Sequence, residues 1–370
     1  MRCVVTGSAG FIGHHVCEAL LDRGDEVDGV DAFTDNYDPA LKRANAARLA
    51  RHDRYRNVEL DLATADPDDL DEVLAGADAV VHLAAQPGVR WSWSDGFAVY
   101  VERNITASQR LLEAAQRTRV PRLVLASSSS VYGNASTGEP LTEDAPTRPF
   151  SPYGVTKLAM EHLASAYAAN WGLSSVVLRY FTVYGPGQRP DMALHRFITA
   201  VATGEEVTVY GDGRQVRDFT YAADAAAATV AAIEADVAPT TVLNVAGGSP
   251  TTVADLLSIV SEQVGRPAIS RHLPDQPGDV RVTSGATERA RRLLGWRPEM
   301  PLDEGVKRQV AYQLGDGWPQ PRSSVRPGDA QSVQRRAARP HSRRRHSEAG
   351  RLSIGGVEHI ADDQQQADDR

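Results

Sequence analysis

An α/β fold, a doubly wound parallel sheet accompanied by a smaller mixed α/β lobe, is what this sequence predicts. Short β-branched runs alternate with helix-length amphipathic segments through the first 180 residues, and a glycine-rich turn joins the first run to the first helix. Beyond about Tyr180 the alternation loosens, which marks the second lobe.

The strands expected from composition are residues 3–6, 26–30, 57–60, 79–83, 123–126 and 175–178. Such short apolar runs suit strands covered on both faces, and that environment belongs to parallel sheets. Apolar spacing over residues 11–22, 105–116 and 152–169 predicts amphipathic helices that pack on the sheet. Segments 207–210, 243–245 and 253–264 are assigned to the smaller lobe, which covers the open edge of the first. The expected domains are therefore 1–180, with some later segments returning to it, and 181–314, followed by a disordered arginine-rich tail at 315–370. Within that tail, residues 335–345 carry six arginines, and Asp362, Asp363, Asp368 and Asp369 follow them. With so little apolar periodicity the segment cannot offset its ordering entropy.

The 370 residues, 42% of them hydrophobic, are enough to bury a sizeable core. No apolar run approaches the ~20 residues that span a bilayer, and residues 1–6 read as a strand instead of a signal peptide, so a cytoplasmic chain without a membrane partner is expected. A formal charge of -8 argues against a body that binds nucleic acid. Cys3 and Cys17 are isolated thiols of the kind that pack in cores. The adjacent His14 and His15 lack partners at ligand spacing and, as neighbours on a helix, are expected to point apart, so no metal is expected.

Thr6-Gly7-Ser8-Ala9-Gly10-Phe11-Ile12-Gly13 lies between the first strand and the first helix. There a pyrophosphate meets unpaired N–H groups at a positive helix end, and Gly7, Gly10 and Gly13 allow its close approach. Asp31 ends the second strand, where a carboxylate takes both ribose hydroxyls of NAD and repels the extra phosphate of NADP. Asp61 and Leu62 follow the third strand, and Leu83-Ala84-Ala85 follow the fourth, all on the carboxyl edge where ligands bind in doubly wound folds.

Ser151-Pro152-Tyr153-Gly154-Val155-Thr156-Lys157 combines a helix N-cap, a first-turn proline, and Tyr153 and Lys157 four apart on one face. A tyrosine near pKa ~10 is a poor base at neutral pH, but a neighbouring ammonium and a positive nicotinamide ring favour the phenolate. Tyr153 is then able to accept a proton from a sugar hydroxyl while Lys157 holds the nicotinamide ribose.

These motifs, with Ala126-Ser127-Ser128-Ser129-Ser130-Val131-Tyr132-Gly133 at the end of the fifth strand, resemble the extended short-chain dehydrogenase/reductases, in particular the NAD-dependent nucleotide-sugar epimerase/dehydratase family. The G-x-x-G-x-x-G spacing, the His82-Leu83-Ala84-Ala85-Gln86 run and the serine-rich turn carry the resemblance over residues 1–314. It implies a Rossmann-type NAD domain, Asp61 and Leu62 beside the adenine, Phe11, Ile12 and Tyr180 on the cofactor, and Ser128 working with Tyr153. It also implies a homodimer built on helices near 104–117 and 152–170. Dehydratases and decarboxylases of the family carry an acid after the catalytic hydroxyl; this chain has Ser129 and Ser130, so the group for elimination or decarboxylation is missing.

The run Leu178-Arg179-Tyr180-Phe181-Thr182-Val183-Tyr184-Gly185-Pro186-Gly187-Gln188-Arg189-Pro190-Asp191-Met192 resembles the corresponding loop of UDP-glucuronate 4-epimerases. The resemblance places Thr182 and Arg189 around the C6 carboxylate of a UDP-sugar, Ser129 and Arg90 beside the sugar, and Arg217 and Arg281 on the nucleotide diphosphate. Oxidation at C4 puts a ketone β to that carboxylate, and a clamp that holds the breaking bond out of line with the carbonyl suppresses loss of carbon dioxide. The expected reaction is C4 inversion by transient oxidation, rotation of the keto sugar and hydride return. A UDP-glucose or UDP-N-acetylglucosamine 4-epimerase and a UDP-glucuronate decarboxylase keep the same machinery, and a non-catalytic NAD-binding scaffold is the remote alternative.

Overall fold

The computed structural model describes residues 1–134 and 139–315; the expected tail, Gly315 apart, lies outside the described residues. Strand β1 (Arg2–Thr6) is followed by α1 (Phe11–Arg23), β2 (Glu26–Asp31), α2 (Pro39–Leu49), β3 (Tyr55–Glu59), α3 (Pro67–Leu74) and β4 (Ala79–His82). A short helix α4 (Phe97–Tyr100) runs through a π-helical stretch, Val101–Thr106, into α5 (Ala107–Thr118), then β5 (Leu123–Ser128), α6 (Pro152–Trp171) and β6 (Ser175–Tyr180). The second half contributes β7 (Thr182–Tyr184), α7 (Ala193–Thr203), β8 (Glu206–Tyr210), β9 (Val216–Tyr221), α8 (Ala222–Glu234) and β10 (Thr241–Val245). It ends with β11 (Pro250–Thr252), α9 (Val253–Val264), β12 (Ile269–Leu273), α10 (Glu288–Leu294) and α11 (Leu302–Leu314).

Seven strands form one parallel sheet in the order β10-β6-β5-β4-β1-β2-β3. Its inner strands are buried along nearly their whole length, which is why they read as apolar runs without alternation. One face packs against α1 and α8 through Val16, Leu20, Leu21, Ala225 and Ala228; the other packs against α3, α5 and α6 through Leu70, Leu74, Leu111, Leu112 and Met160. Each of these larger side chains contributes about 1.5–3 kcal/mol by leaving water.

Residues 243–245 do not belong to the smaller lobe, as their place in the chain suggested. They pair with β6, Leu243 opposite Leu178, and close the edge of the large sheet. A three-residue apolar run has no period that names its partner strand, so sequence proximity to the lobe was misleading. The lobe itself is a three-stranded sheet β11-β9-β7 and a two-stranded sheet β12-β8, with α7, α9 and α11 packed through Ile198, Val201, Leu256, Val260 and Val306.

The order of the large sheet reverses between β1 and β4. Adjacent loops there leave in opposite directions and open a crevice at the carboxyl edge. Thr6, Asp31, His82, Ser128 and Tyr180 end their strands at that edge.

Candidate active site

The first loop fits a diphosphate by what it leaves out. Gly7 has φ +72, and a Cβ there would lie 2.7 Å from the Ala84 nitrogen; a Cβ on Gly13 would lie 2.0 Å from the Gly7 carbonyl. Only glycine lets the turn fold this tightly. Gly10 caps α1 without a side-chain hydrogen bond, so no capping side chain satisfies the first-turn N–H groups, and Phe11, Ile12 and Gly13 of that turn line the crevice. Asp31 accepts from the Ala9 N–H at 3.1 Å and the Phe33 N–H at 2.8 Å, which anchors its carboxylate against the loop. Burial raises its pKa, opposed by the Lys42 ammonium.

Tyr153 and Lys157 owe their positions to the start of α6. The Ser151 hydroxyl accepts from the Gly154 N–H at 3.1 Å, and Pro152 occupies the first turn. Gly154 has no Cβ because one would approach the Ser130 carbonyl to 2.6 Å, so the helix packs directly on the turn after β5. That approach sets the Tyr153 hydroxyl within electrostatic reach of Ser128. Lys157 donates to the Ala126 carbonyl at 2.8 Å. Burial raises the phenol's pKa, while Ser128 and the Arg189 charge lower it. Burial pulls the Lys157 ammonium down to about 8 against the opposing Glu161 carboxylate.

A cleft of about 370 Å³ collects Gly7, Gly10, Phe11, Ile12, Gly13, Asp31, Asp61, Leu62, Leu83, Ala84, Ala85, Ser128, Ser129, Tyr153, Lys157, Tyr180, Thr182 and Arg189. Arg90, Arg217 and Arg281 stand outside it. Arg281 lines a wider groove of about 1150 Å³ and is paired with Asp212 through two 2.9 Å contacts. Arg90 lies over the Tyr210 ring, 4.1 Å from its centroid, and meets Asp279 at 3.2 Å. Arg217 is near both Arg90 and Asp279, and burial lowers its pKa. Tyr153, Lys157 and the glycine-rich loop line the smaller cleft and not the larger groove.

Several residues in the cleft or supporting it escaped the sequence reading. Lys42 donates to the Thr34 carbonyl at 2.8 Å, the Thr34 hydroxyl at 2.9 Å and Asn36 at 2.7 Å, and burial lowers its pKa to about 8. Tyr37 lies under that ammonium, 4.7 Å from the ring centroid. The Asp38-Pro39 pair that starts α2 was the available signal, since Asp38 accepts from the Ala40 N–H at 2.9 Å as an N-cap. Asn104, in the π-helical stretch, bonds the Gln86 N–H at 2.7 Å and the Thr156 hydroxyl at 3.0 Å, tying the turn after β4 to α6. Nothing in its sequence context announces that role.

His14 and His15 also differ from the expectation that neighbouring side chains diverge: their rings are 4.1 Å apart. With Glu18 they bring three ligand-type atoms within 4.8 Å, but His14 Nδ1 is bonded to the Gly10 carbonyl and His15 Nε2 to the Pro186 carbonyl. Among the described residues no helix is long and apolar enough to cross a membrane.

A model of the NAD dependent epimerase/dehydratase family matches residues 3–246. The chain belongs to this family. As a member it is an NAD-dependent enzyme of the nucleotide-sugar epimerase type, and the glycine loop, Asp31 and the Tyr153 helix fit that cofactor. A UDP-glucuronate 4-epimerase of Thermodesulfobacterium geofontis is 38% identical over 311 residues, covering 84% of this chain and 95% of that one. An uncharacterized UDP-glucose epimerase of Bacillus subtilis, YtcB, is 40% identical over 314 residues, covering 84% and 98%. Among solved structures, the UDP-glucuronic acid 4-epimerase of Bacillus cereus in complex with UDP-glucuronic acid and NAD superimposes with a TM-score of 0.82 at 40% identity, over 85% of this chain and 99% of that one. The epimerase family is thus represented by relatives named for acidic and for neutral sugars.

Proposed function

We propose that this enzyme inverts C4 of UDP-glucuronate to give UDP-galacturonate. The observation that carries the reading is Arg189: its side chain is 17% exposed, lines the cleft beside Thr182, and its charge reaches Tyr153. Asp191 engages Nε at 2.9 Å and Nη2 at 3.0 Å, and Nη1 makes no hydrogen bond among the described residues. A carboxylate gains a charge-assisted bond from a cation at that depth, a stronger one than a neutral hydroxyl makes.

In this reading Tyr153 accepts the C4 hydroxyl proton and later returns it, with Ser128 bridging the same oxygen. Lys157 holds the ribose and, as an ammonium, favours the phenolate. NAD supplies the reversible hydride acceptor when bound. Thr182 and Arg189 hold the carboxylate out of line with the C4 carbonyl, and Ser129 and Ser130 offer no acid for elimination. Arg90 serves the sugar, and Arg217 and Arg281 serve the nucleotide diphosphate, from outside the residues that line the cleft. The homologue with bound UDP-glucuronic acid supports the choice of sugar.

A second reading has a specific observation behind it. Asp191 already compensates the Arg189 charge, which suits a neutral UDP-sugar, and one relative named for UDP-glucose is as similar as those named for UDP-glucuronate. Incubation of the pure protein with UDP-glucuronate and with UDP-glucose, followed by product separation, decides. UDP-galacturonate supports the proposal; a UDP-pentose means decarboxylation; turnover of UDP-glucose alone overturns it.

A further inference from the structure

The segment between β7 and Arg189 is held from three directions. The Gly185 N–H donates to Gln309 Oε1 at 2.8 Å, and Gln188 Oε1 accepts from the His195 N–H at 3.1 Å and Gln309 Nε2 at 2.8 Å. From the cofactor side, His15 Nε2 bonds the Pro186 carbonyl at 2.8 Å, across 171 positions of sequence. Gly187, at φ +77, sits so close above His14 that a Cβ would fall 2.8 Å from the ring's Cε1. His14 is itself fixed by its 2.9 Å bond to the Gly10 carbonyl in the dinucleotide loop. One pair of histidines therefore joins the loop that faces the diphosphate to the loop that carries Arg189.

We infer that His15, backed by His14 under Gly187, is a positioning residue that sets where Arg189 stands relative to the cofactor cleft. It touches neither reacting atoms nor Tyr153 and acts only through the 185–189 backbone. Burial holds the His15 imidazole down at about 4, so it is neutral near pH 7 and has one ring N–H to give. With Nε2 facing the Pro186 carbonyl, that proton belongs on Nε2. The adjacent ring of His14 supplies a flat surface on which only a glycine at 187 can rest. The consequence for substrate choice rests on the proposed function, because only a sugar with a C6 carboxylate uses Arg189.

Amide exchange over residues 185–192 tests the clasp without any substrate. His15→Ala is expected to speed exchange there by about 3–10-fold, the loss of roughly one hydrogen bond, while α6 exchanges as before. His15→Gln, whose amide N–H reaches a carbonyl, restores protection. Should His15→Ala fail to fold, Gly187→Ala displaces the same loop from the other side and gives the same signature. Unchanged exchange in these variants overturns the inference. Kinetics then separate positioning from general damage: KM for UDP-glucuronate rises severalfold while kcat and KM for UDP-glucose stay near the parent values. An equal rise for both sugars also overturns it. If the parent enzyme makes no UDP-galacturonate, the proposed function fails by itself, and the exchange result still decides the clasp.

Discussion

Glu161 and Arg179 form a two-point ion pair, Nε to Oε1 at 3.0 Å and Nη2 to Oε2 at 2.6 Å, with side chains only 7% and 6% exposed. Glu161 lies one helical turn beyond Lys157, and Arg179 precedes Tyr180 at the end of β6. Ser127 donates to the same carboxylate, and the Arg179 Nη1 group donates to Tyr132 Oη at 2.9 Å and the Glu143 carbonyl at 3.1 Å. The pair thus joins helix α6 to two strand ends directly beneath Ser128 and Lys157.

Removing one partner leaves a buried charge without compensation. Arg179→Leu or Glu161→Gln is expected to destabilise the fold by about 3–5 kcal/mol. Urea unfolding of each variant measures this; a change under 1 kcal/mol would show that water reaches the network.

Tyr153→Phe removes the proton acceptor and keeps the ring, which packs edge-on to Tyr100 at 6.1 Å. Turnover is expected to fall by about 10²–10⁴-fold with NAD still bound. A variant as active as the parent would defeat the proposed role.

The pH profile follows from two shifts of opposite meaning. The mechanism needs Lys157 protonated, and burial brings its pKa down to about 8, so the ammonium is progressively lost above that value. Burial raises the pKa of Tyr153, which must lose its proton, so the phenolate fraction keeps growing through the same range; kcat/KM therefore climbs with pH up to about 8 and levels off above it, where gain of phenolate and loss of ammonium cancel. Initial rates from pH 5.5 to 10 check this; a rise that continues with unchanged slope past pH 8 contradicts the Lys157 assignment.

Gly13→Ala drives a methyl group to 2.0 Å from the Gly7 carbonyl, inside backbone that has nowhere to move. The expected outcome is loss of bound NAD, read from the absorbance ratio of the purified protein, with little change in circular dichroism. Full NAD content in the variant would mean that the loop is not the diphosphate site.

Arg189→Gln keeps a donor and removes the charge. A lost charge-assisted bond predicts a rise of about 10–100-fold in KM for UDP-glucuronate, with little effect on UDP-glucose. Traces of UDP-pentose among the products would show that the carboxylate had lost its clamp.

Much of the lining of the cleft was legible in the chain because its signals are local. A glycine loop, a carboxylate at the next strand end, and Tyr153 and Lys157 at one helical period each lie within a few residues, and parallel strands place them all on one edge. Asn104 and Lys42 were not legible, because a single polar residue in a helix looks the same whether it meets water or a buried turn.

The sequence by itself determined the fold class, the tight glycine turn after the first strand, and the placing of Tyr153 and Lys157 on one helix, since periodicity and glycine geometry operate over short distances. Only the tertiary structure decided that β10 returns to the large sheet, that Arg90 and Arg281 each face an acidic partner, and that His15 reaches Pro186. Those relations join residues far apart in the chain, where closing the intervening loop and excluding water, instead of local preference, determine which groups meet.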